Sequence, residues 1–141
     1  MSDTTTQVAQ AIANRAAGIS GMFAASAFPV DAIPDTPYTV VGPHTGTLPV
    51  PGSWEQRILY FPVRCYVSRT AGSTYDQQSI NAMVDAFISA FRSGITDSAG
   101  VTQIIIQSWN TGLFEVVANE EYQVIDFTFR VDIFQSATYT A

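Results

Sequence analysis

There is no lysine anywhere in the 141 residues, and there is one histidine and one cysteine. The missing lysine excludes a Schiff-base mechanism and a phosphate-binding P-loop. A single histidine, His44, excludes a two-histidine metal site and leaves any serine triad hanging on a residue in a proline-rich loop. A single cysteine, Cys65, excludes an internal disulfide, and its place in an apolar alternation marks it as a small buried hydrophobe. Apolar runs such as Ile104 to Ile106 are far shorter than the ~20 residues a membrane helix needs, and no basic residue followed by an apolar run opens the chain. The expectation is a soluble protein made in a cytoplasm, with no membrane partner. Six arginines against twelve acidic residues leave a net charge of −6, spread along the chain, which disfavours binding to phosphate backbones.

What is present is strong periodicity. Tyr122 to Phe134 reads as one long strand: Gln123, Ile125, Phe127, Phe129, Val131 and Ile133 alternate with Asp126, Thr128, Arg130 and Asp132. Trp54 to Arg69 is a second, with Leu59, Phe61, Val63, Cys65 and Val67 on one face and Trp54, Tyr60, Arg64 and Tyr66 on the other. Pro62 cannot donate to a ladder, so this strand is expected to be an edge or to bulge there. Two helices are expected to cover the apolar faces. From about Thr6 to Phe23, Val8, Ile12, Ala16, Ile19 and Phe23 fall on one helical stripe, with Gly18 and Gly21 weakening its last turns so that it can end anywhere from Gly18 onward. Ile80, Met83, Val84, Phe87, Ile88 and Phe91 form another, after a Ser73–Asp76 capping signal and before a stop at Gly94. Phe127 and Phe87, each central on its element, are expected to meet.

Six of the seven prolines lie between Phe28 and Pro51, so only Tyr38 to Val41 reads as a strand there, at or near a sheet edge. A long loop follows at about 42–53. After Gly100 come three strand signals, Val101 to Trp109, Leu113 to Val117 and the long closing strand, joined by Asn110-Thr111-Gly112 and Ala118-Asn119-Glu120 as hairpins. The expected fold is a single α+β domain over residues 1–141, in the order α-β-β-α-β-β-β, with both helices on one face of a mostly antiparallel sheet.

No constellation in the chain carries catalysis, and the reading is of a protein that is not an enzyme and needs no cofactor or metal. Glu120-Glu121 reads as a solvated hairpin tip beside a weaker reading as a cation site. Asp126, Arg130 and Asp132 project from one strand face at two-residue spacing, either as an exposed face or as an alternating-charge contact for another subunit. Trp54, Tyr60 and Tyr66 with Arg64 have the composition of an interface, with base stacking as the competing reading. These seven residues are the candidate subunit interface. His44, Leu48 and Val50 in the long loop are the candidate assembly element, since apolar side chains beside Pro49 and Pro51 call for a contact.

Several stretches together resemble the tail terminator proteins of long-tailed bacteriophages, the family that includes the lambda tail terminator. They are the strand Pro37-Tyr38-Thr39-Val40-Val41 after an N-terminal helix, the aromatic Ile58-Leu59-Tyr60-Phe61-Pro62-Val63, the helix Ile80-Asn81-Ala82-Met83-Val84-Asp85-Ala86-Phe87 and the closing Tyr122 to Val131. The resemblance implies a structural virion protein, assembled in the host cytoplasm and located in the tail or neck. It implies a homohexameric ring that caps the tail tube, stops its polymerisation and gives the head-joining surface, with tail-tube and head-tail connector proteins as partners. Six copies at −6 each would carry −36 charges, and DNA would pass through such a ring without specific binding. A different neck or tail component (a head-tail connector, tail-completion or tail-tube protein) or a small-ligand-binding α+β protein are the alternatives.

Overall fold

A computed structural model describes residues 4–49, 51, 56–69, 77–92 and 101–134. In chain order the elements are α1 (Thr4–Ala17), β1 (Ala24–Ser26), β2 (Tyr38–Val41), β3 (Thr45–Thr47), β4 (Gln56–Arg69), α2 (Gln77–Ala90), β5 (Val101–Val117) and β6 (Glu120–Phe134). The fold is α+β, with one six-stranded sheet ordered β1-β2-β4-β6-β5 and β3 also paired to β4. Every pairing is antiparallel except β1 with β2. The element order therefore differs from α-β-β-α-β-β-β: four strands separate the helices and two follow them. The Ser73–Asp76 cap and the Gly94 stop lie outside the described residues.

The centre of the sheet follows from the alternation. Leu59, Phe61, Val63 and Cys65 of β4 face the same side as Ile125, Phe127, Phe129, Val131 and Ile133 of β6, and all are buried. Both helices contribute to the same cluster, α1 through Val8, Ile12 and Ala16, α2 through Ile80, Val84 and Phe87. The Phe87 and Phe127 rings stack at 4.4 Å, and Phe91 meets Phe129 edge-on at 4.7 Å. Aromatic pairs at such separations add to the burial of their large apolar area. Arg15 of α1 donates to the Ala90 carbonyl at 2.9 Å, a cation on one of the orphan acceptors that end α2.

α1 ends at Ala17, just before Gly18, where the glycines are expected to let it stop. The Gly18 and Ile19 amides donate to the carbonyls of Arg15 and Ala16, three residues back, which tightens the last turn before the chain turns toward β1. Ile19 is still buried, but Phe23 has left the stripe and is 53% exposed. On α2, Ile88 lies at the margin of the stripe and is exposed as well.

Pro62 neither bulges β4 nor makes it an edge. β2 pairs with Val63–Tyr66 and β3 with Ile58–Tyr60, so Phe61 and Pro62 fall at the break between two neighbours. The Pro62 carbonyl accepts from Gly42 at 2.7 Å, and since an antiparallel residue directs its carbonyl and its N–H to the same side, the missing donor faces that break. The bulge in β4 comes later, between Tyr66 and Ser68.

Within the loop expected at about 42–53, Thr45–Thr47 form β3 and pair with β4. A Cβ on Gly46 would come within 2.9 Å of Leu59 Cδ2, so glycine lets this short strand approach β4. β2 lies one strand in from the sheet margin, near the edge as expected, with the short β1 paired outside it. The expected hairpin at Asn110-Thr111-Gly112 is instead a bulge within one continuous β5, with Gly112 at φ +79°. The hairpin at 118–119 is real: Ala118 (φ 51°) and Asn119 (φ 65°) are both left-handed, the geometry of a two-residue I′ turn.

Candidate functional site

The sheet face away from the helices is not uniformly open. Between β1 and β2, the proline-rich passage lays Val30 and Ile33 over Tyr38, Val40, Tyr66, Tyr122 and Val124, forming a second apolar cluster. Tyr66, expected among the exposed aromatics, is therefore 5% exposed, its ring edge-on to Tyr122 at 5.7 Å. A segment distant in sequence covers it, and strand alternation alone cannot reveal that.

Next to this cluster the same face turns polar. Arg64 lies directly opposite Asp126 in the β4–β6 register. Its Nη1 reaches Glu115 Oε2 at 2.8 Å, and the Tyr66 hydroxyl donates to the same oxygen at 2.9 Å. Burial opposes the Arg64 charge, but Glu115 and Asp126 outweigh it and hold the guanidinium above its usual pKa. Burial pushes the Tyr66 phenol up to about 12, helped by its bond to the Glu115 carboxylate. Asp126 is held above the usual carboxylate range, first by burial and then by Glu115, with Arg64 opposing. Its Oδ1 is buried without a hydrogen-bond partner. Cys65 points to the opposite, helix-covered side, where burial pushes its thiol up to about 12.

Arg64, Tyr66 and Glu115 border an open cavity of about 270 Å³ whose other walls include Val30, Val40, Pro62 and Val117. Further along, Tyr60 lies opposite Arg130, and Arg130 Nε contacts Asp132 Oδ1 at 3.1 Å. Tyr60, Arg64, Tyr66, Asp126, Arg130 and Asp132 thus share one face, as the alternation predicts. Trp54 lies outside the described residues, as does Val50. His44 is exposed and sits beside Phe61 at 5.3 Å on the helix side, away from this row, while Leu48 is 40% exposed.

Glu115, the acceptor that organises the cluster, carried no signal in the sequence. The bulge at Asn110–Leu113 decides which face it occupies, and Asn-Thr-Gly reads equally well as a hairpin turn. Also unanticipated is a row of exposed apolar side chains on β5. Trp109, Phe114 and Val116 lie opposite Phe127, Gln123 and Glu121 of β6, which places them on the helix side of the sheet, yet they are 49%, 54% and 64% exposed.

Among the described residues no group of three His, Cys, Asp or Glu side chains is placed to hold a metal ion, and no described helix is long and apolar enough to cross a membrane. Compared with protein-family models and with curated proteins, the chain matches none.

Proposed function

We propose that this chain is a structural virion subunit that assembles with itself into a ring, and that the ring acts as a tail terminator, capping a bacteriophage tail tube and presenting a surface to the head. The observation that carries assembly is β5. Among the described residues β5 is an edge strand of 17 residues with exposed Trp109, Phe114 and Val116, and such an edge is a template for another chain, because it offers ladder groups beside apolar side chains. The resemblance of the sequence to tail terminators supplies the place in the particle and the number six. The row Tyr60, Arg64, Asp126, Arg130 and Asp132, with the loop residues His44 and Leu48, supplies further surface for neighbours, tube or head. Loss of the protein is expected to give tails of uncontrolled length in electron micrographs of infected-cell lysates, and tails of normal length would reject the terminator role.

A small-ligand reading is favoured by one feature, the cavity of about 270 Å³ beside Arg64, Tyr66 and Glu115. Those three groups already satisfy one another, so a ligand must compete with bonds in place. A ligand-specific rise in Tm that Arg64→Ala removes would establish it.

A further inference from the structure

Among the described residues, the exposed aromatic side chains fall at two opposite margins of the sheet. At one margin is β5 with Trp109, Phe114 and Val116. At the other is β1, immediately flanked by Phe23 and Phe28, each 53% exposed. Both sets belong to the helix side. Phe28 shares a cavity with Thr5, Thr6 and Ala9 of α1, and Phe23 precedes β1 two positions from Ala25, which packs against the helix-covered core. We infer that the β5 edge of one copy docks against the β1 edge of a second copy, with Trp109, Phe114 and Val116 meeting Phe23 and Phe28. This deepens the ring reading and rests on it.

Charge selects the occupant. In a chain of net charge −6, copies repel over most of their surfaces, but these two margins are nearly uncharged. Phe23-Ala24-Ala25-Ser26-Ala27-Phe28 has no charged residue, and β5 has one, Glu115, which is paired internally with Arg64. β5 also has none of the lysines or prolines that protect free edges against pairing. From the fractional exposures, the outward parts of Trp109, Phe114 and Val116 amount to roughly 330 Å², about two-fifths of the ~800 Å² that each partner contributes to a standard interface. Ladder groups and neighbouring polar side chains can supply the rest. Both apolar sets lie on the helix side, so edge-to-edge docking keeps the helix layers of successive copies on one side. A contact between two different margins is heterologous, the kind that closes into rings.

The test uses Val116→Lys and Phe23→Lys, each in the full chain, with circular dichroism as the fold control. Each variant alone is expected to associate more than tenfold more weakly than the wild type by analytical ultracentrifugation. Mixed together they are expected to form a 1:1 pair and nothing larger, because the intact β5 of the Phe23→Lys copy meets the intact β1 margin of the Val116→Lys copy. Native mass spectrometry with one copy isotope-labelled reads this directly. Phe114→Lys and Phe28→Lys repeat the pair should either first variant misfold. Wild-type assembly by both single variants, or a mixture that yields only like-with-like pairs, overturns the contact. If that happens while the wild type keeps a six-fold mass, the ring reading survives without this interface. If the 1:1 pair forms but the wild type is not six-fold, the interface survives without the ring. A wild type that stays monomeric removes both.

Discussion

β5 and β6 are the two arms of one hairpin, nearly equal in length, and they are built to opposite rules. β6 lies between β4 and β5, has no bulge of its own, and keeps strict alternation from Tyr122 to Ile133. Among the described residues β5 has a neighbour on one side only, and it departs from register three times, near Val101–Gln103, Ile106–Ser108 and Asn110–Leu113. The difference shows what burial demands. A strand covered on its apolar face by two helices cannot slip by one residue without turning that whole face to water, whereas an edge strand can absorb an extra residue and redirect its side chains. β6 holds the fold together, and β5 is free to meet a partner.

The comparison is broken most severely from the β6 side. Phe127→Ala empties a fully buried site stacked on Phe87 and is expected to cost about 3–5 kcal/mol in a urea titration. An unchanged midpoint would mean that Phe127 is not core. Glu115→Ala leaves the Tyr66 hydroxyl and Arg64 without their shared acceptor and is expected to cost about 1–2 kcal/mol, most of it from the partly buried phenol. No change would show that the bonds of Glu115 to Tyr66 and Arg64 contribute nothing to the fold. In the turn joining the arms, Ala118→Gly relieves a left-handed alanine and is expected to raise stability by about 1 kcal/mol.

Asp126 gives a pH-dependent contrast. Its folded pKa is raised, so between the ordinary carboxylate pKa and the folded value the folded chain holds a proton that the unfolded chain has lost. Its contribution therefore falls as pH rises through that window. Thermal melts of Asp126→Asn and wild type are expected to diverge in favour of the variant from acid toward neutral pH, and parallel curves would contradict the assignment. The smallest expected effect on the fold is Val116→Lys, within about 0.5 kcal/mol for the monomer, since the side chain touches mostly water. A large loss there would make the β5 margin part of the core.

The same contrast explains what the sequence revealed. Where a strand is paired on both sides and one face is covered, pattern and structure agree: the inward rows of β4 and β6 are legible from periodicity, as are the helix stripes apart from Phe23 and Ile88 and the Phe87–Phe127 contact. Where the chain is held by a single neighbour, periodicity falls silent. Ala24–Ser26 and Thr45–Thr47 are strands only because β2 and β4 lie alongside them, and three residues are too few to show a period. Asn110-Thr111-Gly112 contains the signal for a turn, and whether it closes a hairpin or bulges a continuous strand is decided by β6 across the ladder. The burial of Tyr66 depends on Ile33 and Val30, more than thirty residues earlier in the chain. The candidate face was legible as a row of residues, but not its organiser, Glu115, nor the exposed apolar margins.

Assembly through surfaces that the fold leaves unsatisfied is read most directly from the mass of the purified wild-type protein in solution by light scattering, over a range of concentrations. A discrete species at six times the chain mass that persists on dilution is expected. A mass equal to a single chain at every concentration would contradict it.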